Sequence, residues 1–296
     1  MRLIKPSIEI LEQGSGIQGI YKQIERAGRT CYKSEDRITE DSAEKFVNMI
    51  KDRQHTAMLE HGTVYLYIHK DHAYNVIGDN WVTEQYLSNS YSVINTDSYG
   101  NYHITTNYRV LYENDWLDDL KYLCEPTEYH EKRITVKFIC DRGVSHEFVR
   151  HRVFSFAQES TRYCNYSKDK FGNEITFIEP CWLDSYNYNG NTYSNCFLIA
   201  LEAAEASYFD LLKKWDDKIP DKRYKTGFRN NPWTPQQARA ILPNSLKTEL
   251  VMTGTIEQWK GFFKLRSSLY GAIGAHPQAA ELADKLYIQF KEKNYI

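Results

Sequence analysis

The 296-residue chain lacks the features of membrane-spanning, disulfide-stapled and strongly basic proteins. No run approaches the ~18 consecutive apolar residues of a transmembrane helix, and the opening MRLIKPSIEILEQG is too short and too charged for a signal peptide. The six cysteines are scattered without a CxxC pair, which is typical of free thiols in the cytoplasm. Lys and Arg total 37 against 39 Asp and Glu, so we expect neither membrane nor nucleic acid as a partner.

The order of predicted elements favours an α+β fold, with a mostly antiparallel central sheet packed with helices. Apolar patterns predict strands at 3–11, Thr63–Ile68 and Arg133–Asp141. Helical spacing predicts helices at 17–27, 42–53, 143–153, 196–215, 235–242, 256–270 and 277–291. Strands are therefore expected mainly in the first half and helices in the second. Because no linker is evident, we expect one domain over 1–296.

Two segments rich in Asn and Tyr, near 79–130 and 165–195, are expected to be insertions in that domain. In the first, the sequence Ser98-Tyr-Gly-Asn101 is a turn signal that predicts a hairpin or loop excursion. The second is predicted to be mostly loop. Many of the 23 tyrosines, Tyr91 and Tyr99 among them, lie in these segments, and we attribute them to the insertions rather than to a cofactor site.

The densest cluster of chemically active side chains is HEFVRHRVFSFAQESTRY at 146–163. Arg150, Arg152 and Arg162 would repel one another unless anions or carboxylates lie between them, and arginine binds phosphate through paired hydrogen bonds. The cluster therefore predicts a phosphate-bearing ligand. An alternative is a solvated helix face on which Glu147 pairs with Arg150 one turn later, and composition alone leaves both open.

A metal site is a weaker interpretation of the same stretch. His146 and His151 resemble the zinc-binding HExxH motif but are separated by one extra residue. On a helix, residues five apart differ by ~140° in direction, so the pair does not chelate one ion, and we expect no metal. A metal-dependent phosphohydrolase using His151 with His55, Glu60 and His61 is the remaining metal-based alternative.

The segment resembles the signature of flavin-dependent thymidylate synthases, RHR-x7-S, from Arg150 to Ser160. The fuller pattern RHRxxSxxxxSxR also matches Ser155 and Arg162. Further similar segments follow the family's order along most of the chain: Gln54 to His61 (QHTAMLEH), Ala238 to Pro243 (ARAILP), Phe262 to Arg266 (FFKLR) and Ala275 to Gln278 (AHPQ).

The resemblance implies an enzyme that methylates dUMP to dTMP with methylenetetrahydrofolate as carbon donor. FAD, reduced by NADPH, would supply the hydride, and the protein would bind and order these ligands. It also implies the family's fold, a homotetramer with shared active sites, and a cytoplasmic location. The alternative from another class is a non-catalytic nucleotide- or RNA-binding module that uses the arginine cluster.

The resemblance also implies which residues contact dUMP: Glu147, Phe148, Val149, Arg150, Gln158, Glu159, Ser160, Thr161, Arg162, Arg239 and Arg266. Arg266 and Ser160 are the predicted catalytic residues. The guanidinium of Arg266 would stabilise negative charge developing on the pyrimidine, and Ser160 would hydrogen-bond the nucleotide. Glu147 and Arg239 are expected to approach the loop 158–162 from a different subunit.

The implied FAD contacts are His55, Ala57, Arg150, His151, Arg152, Gln158, Thr255, Ile256, Glu257, Gly261 and His276. Thr255, Glu257 and Gly261 stand in the stretch where relatives often supply Asn and Arg, so this chain departs from the family there. His61 is expected to be structural.

Overall fold

A computed structural model of the protein describes residues 1–74, 78–168, 171–183, 192–213 and 232–296. Nine strands form three sheets in this part of the chain: β1 (Arg2–Ile4), β2 (Ser7–Leu11), β3 (Thr63–Ile68), β4 (Val93–Thr96), β5 (Tyr102–Asn107), β6 (Arg133–Asp141), β7 (Ser155–Gln158), β8 (Thr176–Ile178) and β9 (Lys247–Thr255). A four-stranded sheet has the order β2-β6-β9-β7, and a three-stranded sheet has the order β3-β5-β4. Both are antiparallel throughout, while β1 and β8 form a small parallel pair.

The helices are α1 (Gly16–Tyr32), α2 (Ser42–Asp52), α3 (Tyr108–Glu113), α4 (Arg142–Phe148), α5 (Thr192–Leu212), α6 (Pro235–Ala238), α7 (Ile256–Arg266) and α8 (Pro277–Glu292). Short 3-10 helices lie at Glu35–Arg37, Thr56–His61, Lys70–His72, Leu117–Tyr122 and Arg239–Ile241, and a π-helical turn at Thr83–Leu87. In the described ranges, no helix combines the length and apolarity needed to cross a membrane.

The four-stranded sheet is buried on both faces because its side chains alternate in direction. Phe138 and Met252 belong to an aromatic core that contains Trp259 of α7 and is closed by α8. Val251, the neighbour of Met252, packs on the opposite face with Ala27 of α1. The sheet therefore holds α4, α7 and α8 on one face and α1 on the other.

The three-stranded sheet has its own core, which it shares with α1 and α2. Leu66 of β3 and Ile104 of β5 are fully buried with Ile24 of α1 and Val47 of α2. Since α1 contributes to the cores of both sheets, it holds them side by side and fixes the space between them.

The α+β prediction is confirmed, but the division into strands first and helices second is wrong. β9, a nine-residue strand in the second half, was not predicted, although it lies between β6 and β7 at the centre of the larger sheet. Lys247 and Glu249 interrupt its apolar pattern. The structure accommodates Glu249 because Lys33, Lys137 and Lys247 surround its carboxylate.

The predicted opening strand 3–11 is two strands. Pro6 lies between β1 and β2, and proline lacks the N–H that a continuous ladder would use. β1 pairs with β8, whereas β2 pairs with β6. The strands Thr63–Ile68 and Arg133–Asp141 are confirmed at both ends.

The predicted helix at 143–153 is wrong in its second half. α4 begins after Asp141, whose carboxylate accepts a hydrogen bond from the Val144 amide at 2.8 Å, and ends at Phe148. A turn then leads into β7, which was also unpredicted. Arg150 and Arg152 lie on that turn, so the helix-face alternative for the arginine cluster is wrong.

The hairpin predicted around Ser98-Tyr-Gly-Asn101 is confirmed as β4 and β5, with the Asp97 carboxylate accepting from the amides of Tyr99 and Asn101. This hairpin is part of the three-stranded sheet, in which β5 is the central strand. In the segment 165–195, β8 and the start of α5 replace part of the expected loop. Residues 214–215 of the helix predicted at 196–215 lie outside the described residues. That the two segments are insertions stays a prediction.

Helix boundaries differ in smaller ways elsewhere. The helix predicted at 17–27 continues to Tyr32, and that predicted at 256–270 ends at Arg266. The range 235–242 divides into α6 and the 3-10 helix Arg239–Ile241. The early end of α7 matters for function, because it places Arg266 at the helix terminus.

Candidate functional site

Arg266 is held at the end of α7 by two residues of the signature region. Its Nε donates to Nε2 of His151 at 3.1 Å. One terminal nitrogen pairs with the Glu147 carboxylate, and the other donates to the Glu147 carbonyl at 3.1 Å. The guanidinium is only 16% exposed. The fold therefore joins residues more than 100 positions apart in sequence into one cluster, an ion pair between Arg266 and Glu147 with His151 bonded to the same guanidinium.

His151 accepts from Arg266, which requires its Nε2 to be unprotonated. Burial, reinforced by the charge of Arg266, lowers the pKa of His151 to about 4. The imidazole packs against the ring of Phe262 with centroids 5.1 Å apart. At neutral pH His151 is thus a neutral, fixed acceptor, and the positive charge of the cluster lies on Arg266.

The loop 158–162 leaves the edge strand β7 and is fixed by backbone hydrogen bonds. The Glu159 amide donates to the Glu249 carbonyl at 2.8 Å, and the Ser160 amide donates to the Cys31 carbonyl at 3.0 Å. The Gln158 side chain donates to Ser145 Oγ at 2.9 Å. Since Ser145 lies on α4, the loop is tied to the helix that also carries Glu147.

The side chain of Glu159 is directed into the protein. It is 3% exposed, and its carboxylate accepts from Lys247 Nζ at 2.9 Å. Burial raises the pKa of Glu159, opposed by the charge of Lys247. In this arrangement the carboxylate stabilises the base of the loop.

Arg239 reaches the loop from within the same chain. Its Nη1 donates to Thr161 Oγ1 at 3.0 Å, because α6 and the following 3-10 turn end beside the loop. This contact lies within one chain, and the expectation that Arg239 approaches the loop of a different subunit stays a prediction. Glu147 likewise bonds to Arg266 of its own chain.

Arg162 and His55 are brought near each other by two tyrosines. The Arg162 guanidinium lies 5.6 Å from the ring centre of Tyr163. That ring is 5.6 Å from the ring of Tyr32, whose hydroxyl is 3.1 Å from Nδ1 of His55. Arg162, Tyr163 and His55 are exposed, so this face of the loop is open to a ligand.

A cavity of about 720 Å³ lies between the two antiparallel sheets. We call it the inter-sheet cavity. From the larger sheet and its adjoining turn it takes Arg133, Arg152, Val153, Phe154, Ser155, Thr255 and Gln258. From the other side it takes Glu60, Asn89, Ser90, Tyr91, Val93, Thr105, Asn107, Arg109, Val110, Glu113 and Asn114. Its volume is within the range of small-molecule and cofactor sites.

Two residues predicted to contact the flavin, Arg152 and Thr255, line this cavity. The others lie elsewhere. Glu257 is exposed and pairs with Lys260 at 2.5 Å. Ile256 packs on the aromatic core, and Gly261 lies on the exposed surface of α7.

The remaining predicted positions are also separate from the cavity. His276 is exposed at the start of α8, with its ring 5.9 Å from that of Trp182. Ala57 is exposed on the 3-10 helix after His55. Arg150 is exposed on its turn, while Phe148 and Val149 pack with the aromatic core.

The histidines of the metal-based alternative are directed to different partners. His61 is fully buried, its Nδ1 is 2.8 Å from Thr253 Oγ1, and burial lowers its pKa to about 3. Glu60 pairs with Arg109 at 2.6 Å. Across the described ranges, no group of three or more His, Cys, Asp or Glu is placed to hold a metal ion.

Sequence reasoning did not select Arg133, Arg109 or Tyr91 of the inter-sheet cavity. Arg133 is the first residue of a strand and Arg109 lies in a short helix. Tyr91 lies in a segment whose tyrosines we attributed to insertions. No local pattern distinguishes these residues, because they meet only when the two sheets pack side by side.

The fold and this site together define an α+β protein in which an arginine-containing cluster lies at the end of α7 and a cavity with three arginines lies between the two antiparallel sheets. The family model for thymidylate synthase complementing protein matches residues 121–294, more than half of the chain. The chain therefore belongs to that family.

Curated relatives are similar over half of this chain. A flavin-dependent thymidylate synthase of Mycolicibacterium gilvum is 30% identical over 145 residues, which is 49% of this chain and 53% of the relative. One of Corynebacterium glutamicum is 26% identical over 147 residues, 50% of this chain and 54% of the relative. The chain thus spans about half the length of the curated relatives it matches.

Among solved structures, a UMP/dUMP methylase from Streptomyces cacaoi bound with 5-Br dUMP is 15% identical. The match covers 99% of this chain and 93% of that one, with a TM-score of 0.42. This TM-score is too low to establish a shared fold.

Proposed function

We propose that the protein is a FAD-dependent thymidylate synthase that methylates dUMP to dTMP. Methylenetetrahydrofolate would be the carbon donor and NADPH the reductant. The observation that carries the proposal is the fixed Arg266, Glu147 and His151 cluster beside the signature loop. Membership of the family and the similarity to curated flavin-dependent thymidylate synthases support it.

Arg266 is the residue we assign to activation of the pyrimidine. A guanidinium has five N–H donors, and three hydrogen bonds to Glu147 and His151 leave two for a ligand within the described structure. The Glu147 carboxylate balances part of the charge of Arg266, and the two remaining N–H donors of the guanidinium can stabilise negative charge developing on the uracil ring. This would increase the nucleophilicity of the ring carbon that accepts the methyl group.

The loop 158–162 supplies the contacts we assign to the nucleotide. Backbone anchors at Glu159 and Ser160 hold the loop, so Ser160 can hydrogen-bond dUMP without ordering a flexible segment first. Arg162, exposed at the loop, is assigned to the phosphate. Arg239 donates a hydrogen bond to Thr161 of the loop, and Gln158 ties the loop to α4 through its hydrogen bond to Ser145.

The residues lining the inter-sheet cavity fit FAD. Of the three arginines that line the cavity, Arg109 is paired with Glu60 and Glu113. Arg133 and Arg152, together with the exposed groups of Tyr91 and Val153, suit a ligand with flat rings and a diphosphate. When bound, the flavin supplies the hydride transfer. The chain's part is to hold that cofactor and to exclude water beside the nucleotide.

We also propose the remaining contacts that the resemblance implies. For dUMP these are Phe148 and Val149. For the flavin they are His55, Ala57, Arg150, His151, Ile256, Glu257, Gly261 and His276. We also propose a homotetramer in the cytoplasm.

The direct test is flavin uptake followed by turnover. We expect the flavin-free protein to bind added FAD, and dTMP to form only when dUMP, methylenetetrahydrofolate and NADPH are all present. The absorbance bands of bound flavin and chromatography of the nucleotide products measure the two steps. A protein that takes up no FAD would contradict the proposal and favour the non-catalytic nucleotide- or RNA-binding alternative.

A further inference from the structure

The family-model match begins at residue 121, so the three-stranded sheet, which ends at residue 107, lies before it. This sheet nevertheless forms one side of the inter-sheet cavity, whose other side carries Arg152 and Thr255. Part of the proposed flavin site is therefore built by a region outside the family pattern.

Arg133 is the most enclosed cation of the cavity. Its terminal nitrogens donate to the Glu60 carbonyl at 3.2 Å, to Thr63 Oγ1 at 3.3 Å and to Ser155 Oγ at 3.4 Å. All three acceptors are neutral, and the nearby Glu60 carboxylate is paired with Arg109. Burial lowers the pKa of Arg133, and the charge of Glu60 opposes this only in part. An anion bound beside Arg133 would reduce the cost of burying its guanidinium.

The other two arginines of the cavity, Arg109 and Arg152, differ in their ion pairs. Arg109 already has two carboxylates, Glu60 at 2.6 Å and Glu113 at 2.9 Å. Arg152 is exposed at the rim. An anion entering the cavity would therefore meet Arg133 and Arg152, while Arg109 is neutralised by its neighbours.

Tyr91 supplies an aromatic surface at the opposite side. Its side chain is 73% exposed, yet its backbone is fixed because its amide donates to Asn89 Oδ1 at 2.9 Å. Ser92 ties this turn to β5 through a 2.9 Å hydrogen bond to Thr106 Oγ1. An exposed ring on an anchored turn, facing a cavity, is suited to stack on a flat ligand.

We propose that the three-stranded sheet is the outer wall of the flavin site, with Arg133 binding a phosphate of the flavin nucleotide and Tyr91 stacking on one of its rings. This rests on the proposed function only in taking FAD as the ligand. It differs from the expectation that the tyrosines of this segment, Tyr91 among them, have no role in a cofactor site.

The test titrates flavin-free protein with FAD and follows quenching of flavin fluorescence, which reports binding without turnover. Tyr91→Ala is expected to weaken FAD binding about tenfold, and Tyr91→Phe, which keeps the ring, to restore it. Tyr99→Ala is the matched control, since Tyr99 is similarly exposed, at 77%, in the turn between β4 and β5 but does not line the cavity.

For Arg133, we compare binding of FMN, which has a phosphate, with binding of riboflavin, which has none. The comparison distinguishes loss of phosphate binding from loss of the folded site. Arg133→Met is expected to weaken FMN binding about thirtyfold and riboflavin, which has no phosphate, by less than about twofold. Arg133→Lys should restore part of the FMN affinity. An equal loss for both ligands would mean a purely structural role for Arg133 and overturn its assignment.

The outcomes distinguish the two proposals. Wild-type protein that binds no FAD would overturn both the proposed function and this inference. Wild-type protein that binds FAD, with Tyr91→Ala and Arg133→Met binding it equally tightly, would overturn this inference alone.

Discussion

The two antiparallel sheets differ in what they contribute to the site. The four-stranded sheet and its helices carry the signature turn, the loop 158–162 and Arg266. The three-stranded sheet contributes a wall, with its own apolar core against α1 and α2. Of these two antiparallel sheets as the structure describes them, the four-stranded one alone has strands, β6, β7 and β9, within the residues matched by the family model.

The comparison indicates that the proposed dUMP contacts and the proposed outer wall of the flavin site belong to separate layers of the fold. Arg266 and the loop depend on α4, β7, β9 and α7, which pack as one unit around Phe138 and Trp259. The inter-sheet cavity depends on where α1 holds the second sheet. The two contributions should therefore respond to different mutations.

The largest expected effect is the loss of turnover in Arg266→Ala. Removal of a guanidinium that stabilises transition-state charge typically lowers kcat by ~100-fold or more. FAD affinity should remain, because Arg266 does not line the inter-sheet cavity. Steady-state dTMP formation and flavin titration measure the two quantities.

Lys264→Ala is the control for Arg266, since Lys264 is exposed on the same helix. It should retain wild-type turnover. If Arg266→Ala lost FAD together with activity, the separation of the two layers would be wrong.

The next effect is expected at the loop. Ser160→Ala should raise KM for dUMP by about tenfold through loss of one hydrogen bond to a charged or polar ligand, while leaving residual turnover. Initial rates at varied dUMP measure this. A covalent serine–nucleotide adduct trapped by rapid quenching would instead make Ser160 a nucleophile.

Substitutions at two glycines, Gly254 and Gly261, test the packing between the four-stranded sheet and the inter-sheet cavity. A Cβ on Gly254 of β9 would lie 2.5 Å from the ring of Phe154, which lines the cavity. Gly254→Ala is therefore expected to lower the free energy of unfolding by ~1–3 kcal/mol and to weaken FAD binding. Chemical denaturation and flavin titration check both.

Gly261→Ala provides the opposite expectation, because a Cβ there meets nothing within 4 Å on helix α7. The change should stabilise the protein by ~0.5–1 kcal/mol. Equal destabilisation by both substitutions would contradict the packing around β9.

The last expected effect concerns the pH dependence of stability. The pKa of His151 is lowered from 6.5 to about 4 in the folded protein, so its contribution is present above pH 6.5 and is lost as pH falls towards 4. His61, lowered to about 3, contributes in the same direction. His151→Gln should reduce the slope of unfolding free energy against pH in this interval by up to ~1.4 kcal/mol per pH unit.

Urea denaturation at several pH values measures that slope. Parallel curves for wild-type and His151→Gln would mean that His151 is not held neutral by burial and Arg266.

Local pattern predicted some elements of the fold well. The alternation in Thr63–Ile68 and the apolar run in Arg133–Asp141 gave the right bounds, because each strand packs with one regular pattern. β9 was missed because Lys247 and Glu249 interrupt its apolar pattern. The Glu249 carboxylate is tolerated because it pairs with Lys247 of the same strand and with Lys33 and Lys137 from elsewhere in the chain.

The sequence predicted which residues belong to the Arg266 cluster but not how their side chains contact one another. The motif selected Glu147, His151 and Arg266, but nothing local indicates that Arg266 bonds to both of the others. Tyr91 and Arg133 have no motif at all. Their meeting depends on how α1 places two sheets relative to each other, which is a tertiary property.

The most direct test of the account is tritium release from dUMP labelled at C5. With FAD, NADPH and methylenetetrahydrofolate, the wild-type protein should release tritium to water as dTMP forms, and Arg266→Ala should release at least ~100-fold less while still binding FAD. No release from flavin-loaded wild-type protein, or undiminished release from Arg266→Ala, would contradict it.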